Sequence, residues 1–231
     1  LAVAKENSFV LHMVIAKIYE LFGRFDKSIK EMEILRQNQP RSVDILLQIA
    51  LFYSMNGQQK EALSMVQTAT QIEPENDQLQ HSLALAYMSL HQDDLAIKSL
   101  IRAIEINSGK ESYYFELGSL QEKLGKIDDA VKNMKKVIEL NPDHSNAHNF
   151  LGYIYSLQGV NLNEAVGHLE KALLIQPQNG YFLDSLGWIY YKKGEPEKAI
   201  VEMKKAMIYT PPDPILYDHL GEIYYALKNY E

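Results

Sequence analysis

A step of 34 residues between small side chains constrains this chain more than any other feature. Ala16, Ala50, Ala84, Gly118, Gly152, Gly187 and Gly221 follow one another at 34 residues, with a single step of 35 between Gly152 and Gly187. An Ile or Leu precedes each, and a Tyr stands three residues after each except at Gln121. A second small residue recurs 12 or 13 positions after each anchor, as Ser28, Ala62, Ala96, Ala130, Ala165 and Ala199. Pro40, Pro74, Pro142, Pro177 and Pro211 lie near the ends of the units, with Ser108 at the remaining one. Self-similarity at this period implies stacked copies of one supersecondary unit, because a single copy cannot bury its apolar face alone.

The physics of one copy is readable. Leu183, Leu186, Gly187 and Tyr190 follow helical spacing and form one apolar stripe. Gly194 stops that helix, since glycine tolerates the left-handed conformation that ends a helix. Pro196 and Glu197 suit the first turn of a second helix, through a fixed φ and the positive end of the dipole. Ala199, Met203 and Ala206 make the inward stripe of that second helix, and Pro211 lies past its end. The unit is a helical hairpin with small residues at Gly187 and Ala199, where two backbones come close.

Written out, residues 183–211 read L-x2-LG-x2-Y…A-x3-M…P, which resembles the tetratricopeptide repeat pattern W-x2-L-G-x2-Y…A-x3-F…P. The resemblance covers essentially the whole chain. It implies an all-α fold, a right-handed superhelical solenoid of antiparallel helix pairs. The expected repeats are 9–42, 43–76, 77–110, 111–144, 145–179 and 180–213, then a truncated repeat over 214–231. Residues 1–8 are expected to be the end of a preceding second helix. The fifth repeat carries one extra residue, within 159–165 between its helices. Both ends of such an array expose surface, which predicts end-to-end packing or dimerisation.

Composition narrows the partners. The chain is 46% hydrophobic and 23% charged, ordinary for a folded soluble protein, with a net charge of −7. No run of Lys and Arg exceeds two residues. Both facts argue against nucleic acid, whose binding rests on clustered cations, and against a polybasic membrane patch. No apolar run reaches the roughly eighteen residues of a membrane span, so direct insertion is not expected. The absence of cysteine removes disulfides, thiolate nucleophiles and zinc ribbons.

The tetratricopeptide resemblance implies a concave groove, lined by first helices, that binds peptides or protein segments. The residues facing it form a second stripe, roughly 120° round each first helix from the packing stripe at about 100° per residue. In the sixth repeat that stripe is Tyr181, Asp184, Trp188 and Tyr191. The fourth contributes Phe115, the fifth Asn149 and Tyr153, and the seventh Asp218 and Tyr225. These nine residues are the candidate peptide-binding set, and the aromatic ones gather toward the C-terminal half. Trp188 has two readings, groove contact and packing in the seam between successive first helices, of which groove contact is preferred. For Leu47, Leu51 and Leu85 the seam is the better reading. The family's basic clamp for C-terminal carboxylates needs Lys and Asn on adjacent repeats. Here Asn149 is followed by Tyr153 and then Trp188, so that clamp is absent. An acidic, aromatic groove favours an extended segment with apolar and basic side chains.

Chemistry is hard to place in this chain. His144 and His148 stand four apart, a spacing that can hold a metal on a helix, but His144 falls at a junction, His148 at a packing position, and no HExxH arrangement follows. Asp218 and His219 have no Ser or Cys nucleophile in register. Gly159, Gly180 and Gly194 read as turn punctuation, not as a phosphate loop. No catalytic residue, cofactor or metal is expected, and the chain is read as a non-enzyme.

One narrower resemblance remains. LDSLGWIYYKKGEPEKAI (183–200) and PDPILYDHLGEIYYALKN (212–229) look like segments near the C-terminus of bacterial tetratricopeptide proteins of the cell envelope. Some of those are outer-membrane lipoproteins that act as adaptors for periplasmic carboxy-terminal processing proteases. The resemblance implies a bacterial source, a periplasmic or outer-membrane-associated location with a cytoplasmic one as the alternative, and an adaptor that presents substrates to a partner protein. The competing reading is a structural scaffold that assembles through its repeat ends.

Overall fold

The computed structural model describes the backbone of residues 2–228 and the side chains of residues 8–228. Among the described residues there are thirteen helices and no strand. They are α1 (Ala2–Leu21), α2 (Phe25–Asn38), α3 (Val43–Met55), α4 (Gln59–Ile72), α5 (Asp77–Ser89), α6 (Asp93–Ile106), α7 (Glu111–Lys123), α8 (Ile127–Leu140), α9 (Ser145–Gln158), α10 (Leu162–Ile175), α11 (Gly180–Lys192), α12 (Pro196–Tyr209) and α13 (Pro214–Ala226). Contacts divide the chain into two compact segments, residues 1–113 and 114–231.

In the N-terminal segment α1 packs on α2, α3 on α4 and α5 on α6, and each pair leans on the next through α2 with α3 and α4 with α5. The first core gathers Ala16, Met32, Leu35, Ile49 and Phe52. Ser28 takes the position held elsewhere by alanine. It fits because its Oγ donates to the Ala16 carbonyl at 2.9 Å, so the buried hydroxyl is satisfied.

The C-terminal segment repeats the scheme with α9 on α10 and α11 on α12, and here successive first helices also touch, α9 with α11 and α11 with α13. Its core joins Leu151 and Tyr155 of α9, Leu169 and Ala172 of α10, and Phe182, Leu186 and Ile189 of α11. The small-residue rule has a direct cause at Gly187. A Cβ there would stand 3.0 Å from the Met203 side chain and 3.1 Å from the Ala199 carbonyl oxygen. Gln121, the one departure from Tyr, is buried and accepts a hydrogen bond from Asn133 Nδ2 at 2.7 Å.

Helix starts follow local chemistry. Ser42, Asn76, Asn179 and Asp213 cap α3, α5, α11 and α13, each accepting from backbone N–H groups of the first turn. Pro196 and Pro214 occupy first-turn positions.

Three sequence expectations change. Helix α1 runs unbroken through Ala2–Leu21, so residues 2–8 extend the first helix instead of closing an earlier one. The stretch has no Gly or Pro, and its Ala, Lys and Glu residues are good helix formers, so nothing breaks the helix near residue 8. Gly180 is not a turn residue but the first residue of α11. A side chain there would collide with Thr210 Oγ1 at the end of α12 and crowd the Ala206 carbonyl. Leu51 and Leu85, expected in the seam, are 48% and 45% exposed. They border an open apolar cleft of about 310 Å³ with Leu47, Ala50 and Val66, kept open by the small side chains Ala62, Ser82 and Ala86. The extra residue of the fifth repeat falls after Gly159, where Asn161 adopts φ +51°, a conformation asparagine tolerates.

Candidate functional site

The candidate residues of the C-terminal segment sort into those the fold brings together and those it does not. Asn149 and Tyr153 of α9 meet Tyr181 and Asp184 of α11 around one cavity of about 250 Å³. Ile215, Leu216 and His219 of α13 complete the wall, with Thr210 and Asp213 from the connection before it. Asn149 and Tyr153 are four apart on α9, and Tyr181 and Asp184 three apart on α11, so each pair projects from one helix face. The contact of α9 with α11, and of α11 with α13, sets these faces side by side.

Tyr181 is 58% exposed and forms the open rim. Tyr153 is half-buried, and burial pushes its phenol above the usual range, reinforced by the Asp184 and Glu122 carboxylates. Asp184 is held in place by His219, whose Nδ1 lies 2.9 Å from its Oδ1. An ionised carboxylate only accepts, so the ring donates. The buried Asn149 Oδ1 and Thr210 Oγ1 have no hydrogen-bond partner. Asp213 is occupied as the cap of α13, accepting from the Ile215 N–H at 2.8 Å.

Trp188 is not open to the groove. It is 6% exposed and stacks on His219 with ring centroids 4.0 Å apart and planes 17° from parallel. It belongs to the core shared by α11, α12 and α13. The preferred reading of Trp188 as a groove contact is therefore corrected to seam packing. An aromatic of this size fills the gap between successive first helices, and Lys192 covers its face 4.2 Å from the ring centroid. Tyr191 packs beside it, at 5.1 Å between ring centroids. Burial raises the Tyr191 phenol, with Glu222 adding to the effect.

The other candidates lie away from this cavity. Phe115 packs on His144 with centroids 4.7 Å apart. Asp218 and Tyr225 are exposed on α13, Tyr225 at 71%, and neither lines the cavity. Sequence reading missed Thr210, Asp213 and the Asp184–His219 pair. The pair had a signal, since Asp184 and His219 sit one repeat and one residue apart on neighbouring first helices.

The histidines resolve into packing roles. His144 caps α9, its Nδ1 accepting from the Ala147 N–H at 3.1 Å. His148 is buried, lies 2.9 Å from the Pro142 carbonyl through Nε2, and lies 2.9 Å from His168 Nδ1 through its own Nδ1. A carbonyl only accepts, so in neutral His148 the Nε2 donates and the Nδ1 accepts from His168. Burial lowers the His168 pKa and the neighbouring His148 lowers it further, with Glu164 opposing. Among the described residues no three His, Cys, Asp or Glu side chains gather as a metal site. No described helix is long and apolar enough to cross a membrane.

Helical hairpins at a 34-residue step, with an open face lined by first helices, define a repeat-array protein of a kind that typically serves non-catalytic protein interaction. Residues 77–110, 111–144 and 182–210 match the family model of the tetratricopeptide repeat. Those three stretches match tetratricopeptide repeats, and the fold of the described residues is an all-α array of helical hairpins. Among solved structures it is similar to MamA at 24% identity, over 71% of this chain and 95% of that one, with a TM-score of 0.64. It is similar to a tetratricopeptide repeat protein from Parabacteroides merdae at 16% identity, over 96% and 88% of the two chains, with a TM-score of 0.75. It is also similar to YrrB, described as a tetratricopeptide repeat protein with an unusual peptide-binding site, at 18% identity over 83% and 97%, with a TM-score of 0.68. At these identities the likeness shows the fold. No curated protein sequence matches the chain.

Proposed function

We propose that the protein is a non-catalytic scaffold that binds an extended segment of a partner protein along the first-helix face of residues 114–231. The observation that carries this reading is the convergence of Asn149, Tyr153, Tyr181 and Asp184, from two repeats, on one recess with an exposed aromatic rim. Tyrosines offer large amphipathic contact area with few torsions to freeze, so a preformed rim binds at low entropic cost. The peptide-binding site of YrrB supports the reading as an instance of the same fold used this way.

On the resemblance of residues 183–200 and 212–229 to envelope adaptors, the held segment is presented to a partner such as an envelope protease. Holding substrate and enzyme together raises their effective concentration without any catalytic group in the scaffold.

Panning a random peptide library against the 231-residue protein, in parallel with a Tyr153→Ala/Tyr181→Ala variant, tests the binding step. Enrichment of extended peptides on the parent, lost on a variant whose circular dichroism shows the same helical fold, is the expected result. No enrichment, or equal enrichment on both, overturns it.

A second reading is favoured by one observation. Leu11, Val14, Ile18, Leu21 and Phe22 are exposed along and just beyond α1, an apolar stripe that a second copy could cover. Sedimentation at rising concentration distinguishes this self-assembling scaffold. Reversible growth in size that survives the loss of Tyr153 and Tyr181, with no peptide bound, favours assembly.

A further inference from the structure

We propose that the cavity formed by α9, α11 and α13 is an anchor pocket for one arginine side chain of the bound segment, an assignment that rests on the segment-binding reading above. Its volume of about 250 Å³ lies below the ~300–1,000 Å³ of sites that enclose whole small ligands, and suits a single side chain. Tyr153, Tyr181, Ile215 and Leu216 supply apolar wall for a methylene stem and for a planar cation that packs well on aromatic rings.

The polar groups select the head. Asp184 and Asp213 are the carboxylates that line the cavity, and no Lys or Arg lines it. The Asn149 Oδ1 and Thr210 Oγ1 are buried without hydrogen-bond partners. Each such buried atom is destabilising while unpaired, a cost that an entering donor offsets. A guanidinium carries five N–H donors in a fixed fork and accepts nothing, which matches the Asp184 and Asp213 carboxylates and the Asn149 Oδ1, while the Thr210 hydroxyl can accept as well as donate. The raised Tyr153 phenol, with Asp184 and Glu122 adding to the effect of burial, agrees with a negative field at the rim.

The opposite ligand, a carboxylate, is disfavoured by the same geometry. The starts of α11 and α13 border the cavity, and helix starts attract anions. The Tyr181, Phe182 and Ile215 N–H groups of these first turns are already taken by Asn179 and Asp213, and Pro214 has none to offer. A helix start contributes about half a positive charge, against a full negative charge on each carboxylate.

The test is an NMR titration of the whole protein with N-acetylarginine amide, N-acetylleucine amide and N-acetylglutamate amide as separate probes. The arginine probe is expected to shift the Asn149 side-chain amide and the Tyr153 and Tyr181 rings saturably. Its affinity should exceed that of the leucine probe by roughly tenfold, the size of one charge-assisted hydrogen bond. Rising salt should weaken the arginine probe and not the leucine probe. Thr210→Val, close in shape, should weaken the arginine probe and leave the leucine probe unchanged, with a thermal midpoint at or above that of the parent, because an unpaired buried hydroxyl is removed. Equal or tighter binding of leucine or glutamate, or shifts scattered over exposed acidic residues, overturns the pocket. If panning selects segments without a basic residue, the pocket assignment fails and segment binding stands. If panning selects nothing while the arginine probe binds this cavity, segment binding fails and the pocket stands.

Discussion

At the residue scale, one side chain separates structure from function. Trp188 was readable as important and not readable as buried. A position about 120° from the packing stripe faces both the groove and the neighbouring first helix, and only the His219 stack decides between them. Gly187 and Ala199, by contrast, were legible at once, because close backbones admit only small residues. Substituting Gly187→Val should destabilise by about 1–3 kcal/mol, since the branched side chain meets Met203 and the Ala199 carbonyl. Gly167, within α10, has open space around it, so Gly167→Ala should stabilise by about 0.5–1 kcal/mol through helix propensity alone. Urea midpoints of the two variants against the parent check both signs. His168 carries a pH dependence. Its folded pKa is depressed, so the unfolded state binds more protons and stability falls as pH drops below the unfolded value of about 6.5. The contribution is fully present above that value and is lost on descending through it toward the depressed folded value. In His168→Asn the slope of thermal midpoint against pH across this window should flatten.

Helices were legible from their ends. Gly194 takes the left-handed conformation just past α11 and Pro196 stands where α12 starts, so local chemistry and repeat register agreed there. Asn179→Ala should cost about 1 kcal/mol, because the Tyr181 and Phe182 N–H groups lose their acceptor at the start of α11. The loss should appear first as faster hydrogen exchange in the first turn of α11. The start of α1 was misjudged because repeat register, carried backwards, placed a boundary where no residue breaks the helix. Gly180 was misjudged for the converse reason. A glycine at a repeat junction looks like a turn, and only the approach of Thr210 shows that it opens a helix.

For the whole molecule, the period alone specified an array, since copies of a hairpin can bury their apolar faces only by stacking. Which side chains meet across repeats was not legible, because contacts between first helices depend on the relative rotation of hairpins, which a period does not encode. That is why Asn149, Tyr153, Tyr181 and Asp184 were named together with residues that line no common cavity. A paired measurement tests whether binding resides in the rim and not in the seam: the Kd of a panned peptide and the thermal midpoint, for Tyr181→Ala and Trp188→Phe. Tyr181→Ala should weaken binding by about thirtyfold, near the 2 kcal/mol of an interface anchor, with an unchanged midpoint. Trp188→Phe should lower the midpoint and keep the affinity. Loss of binding in Trp188→Phe with full affinity in Tyr181→Ala would contradict the assignment.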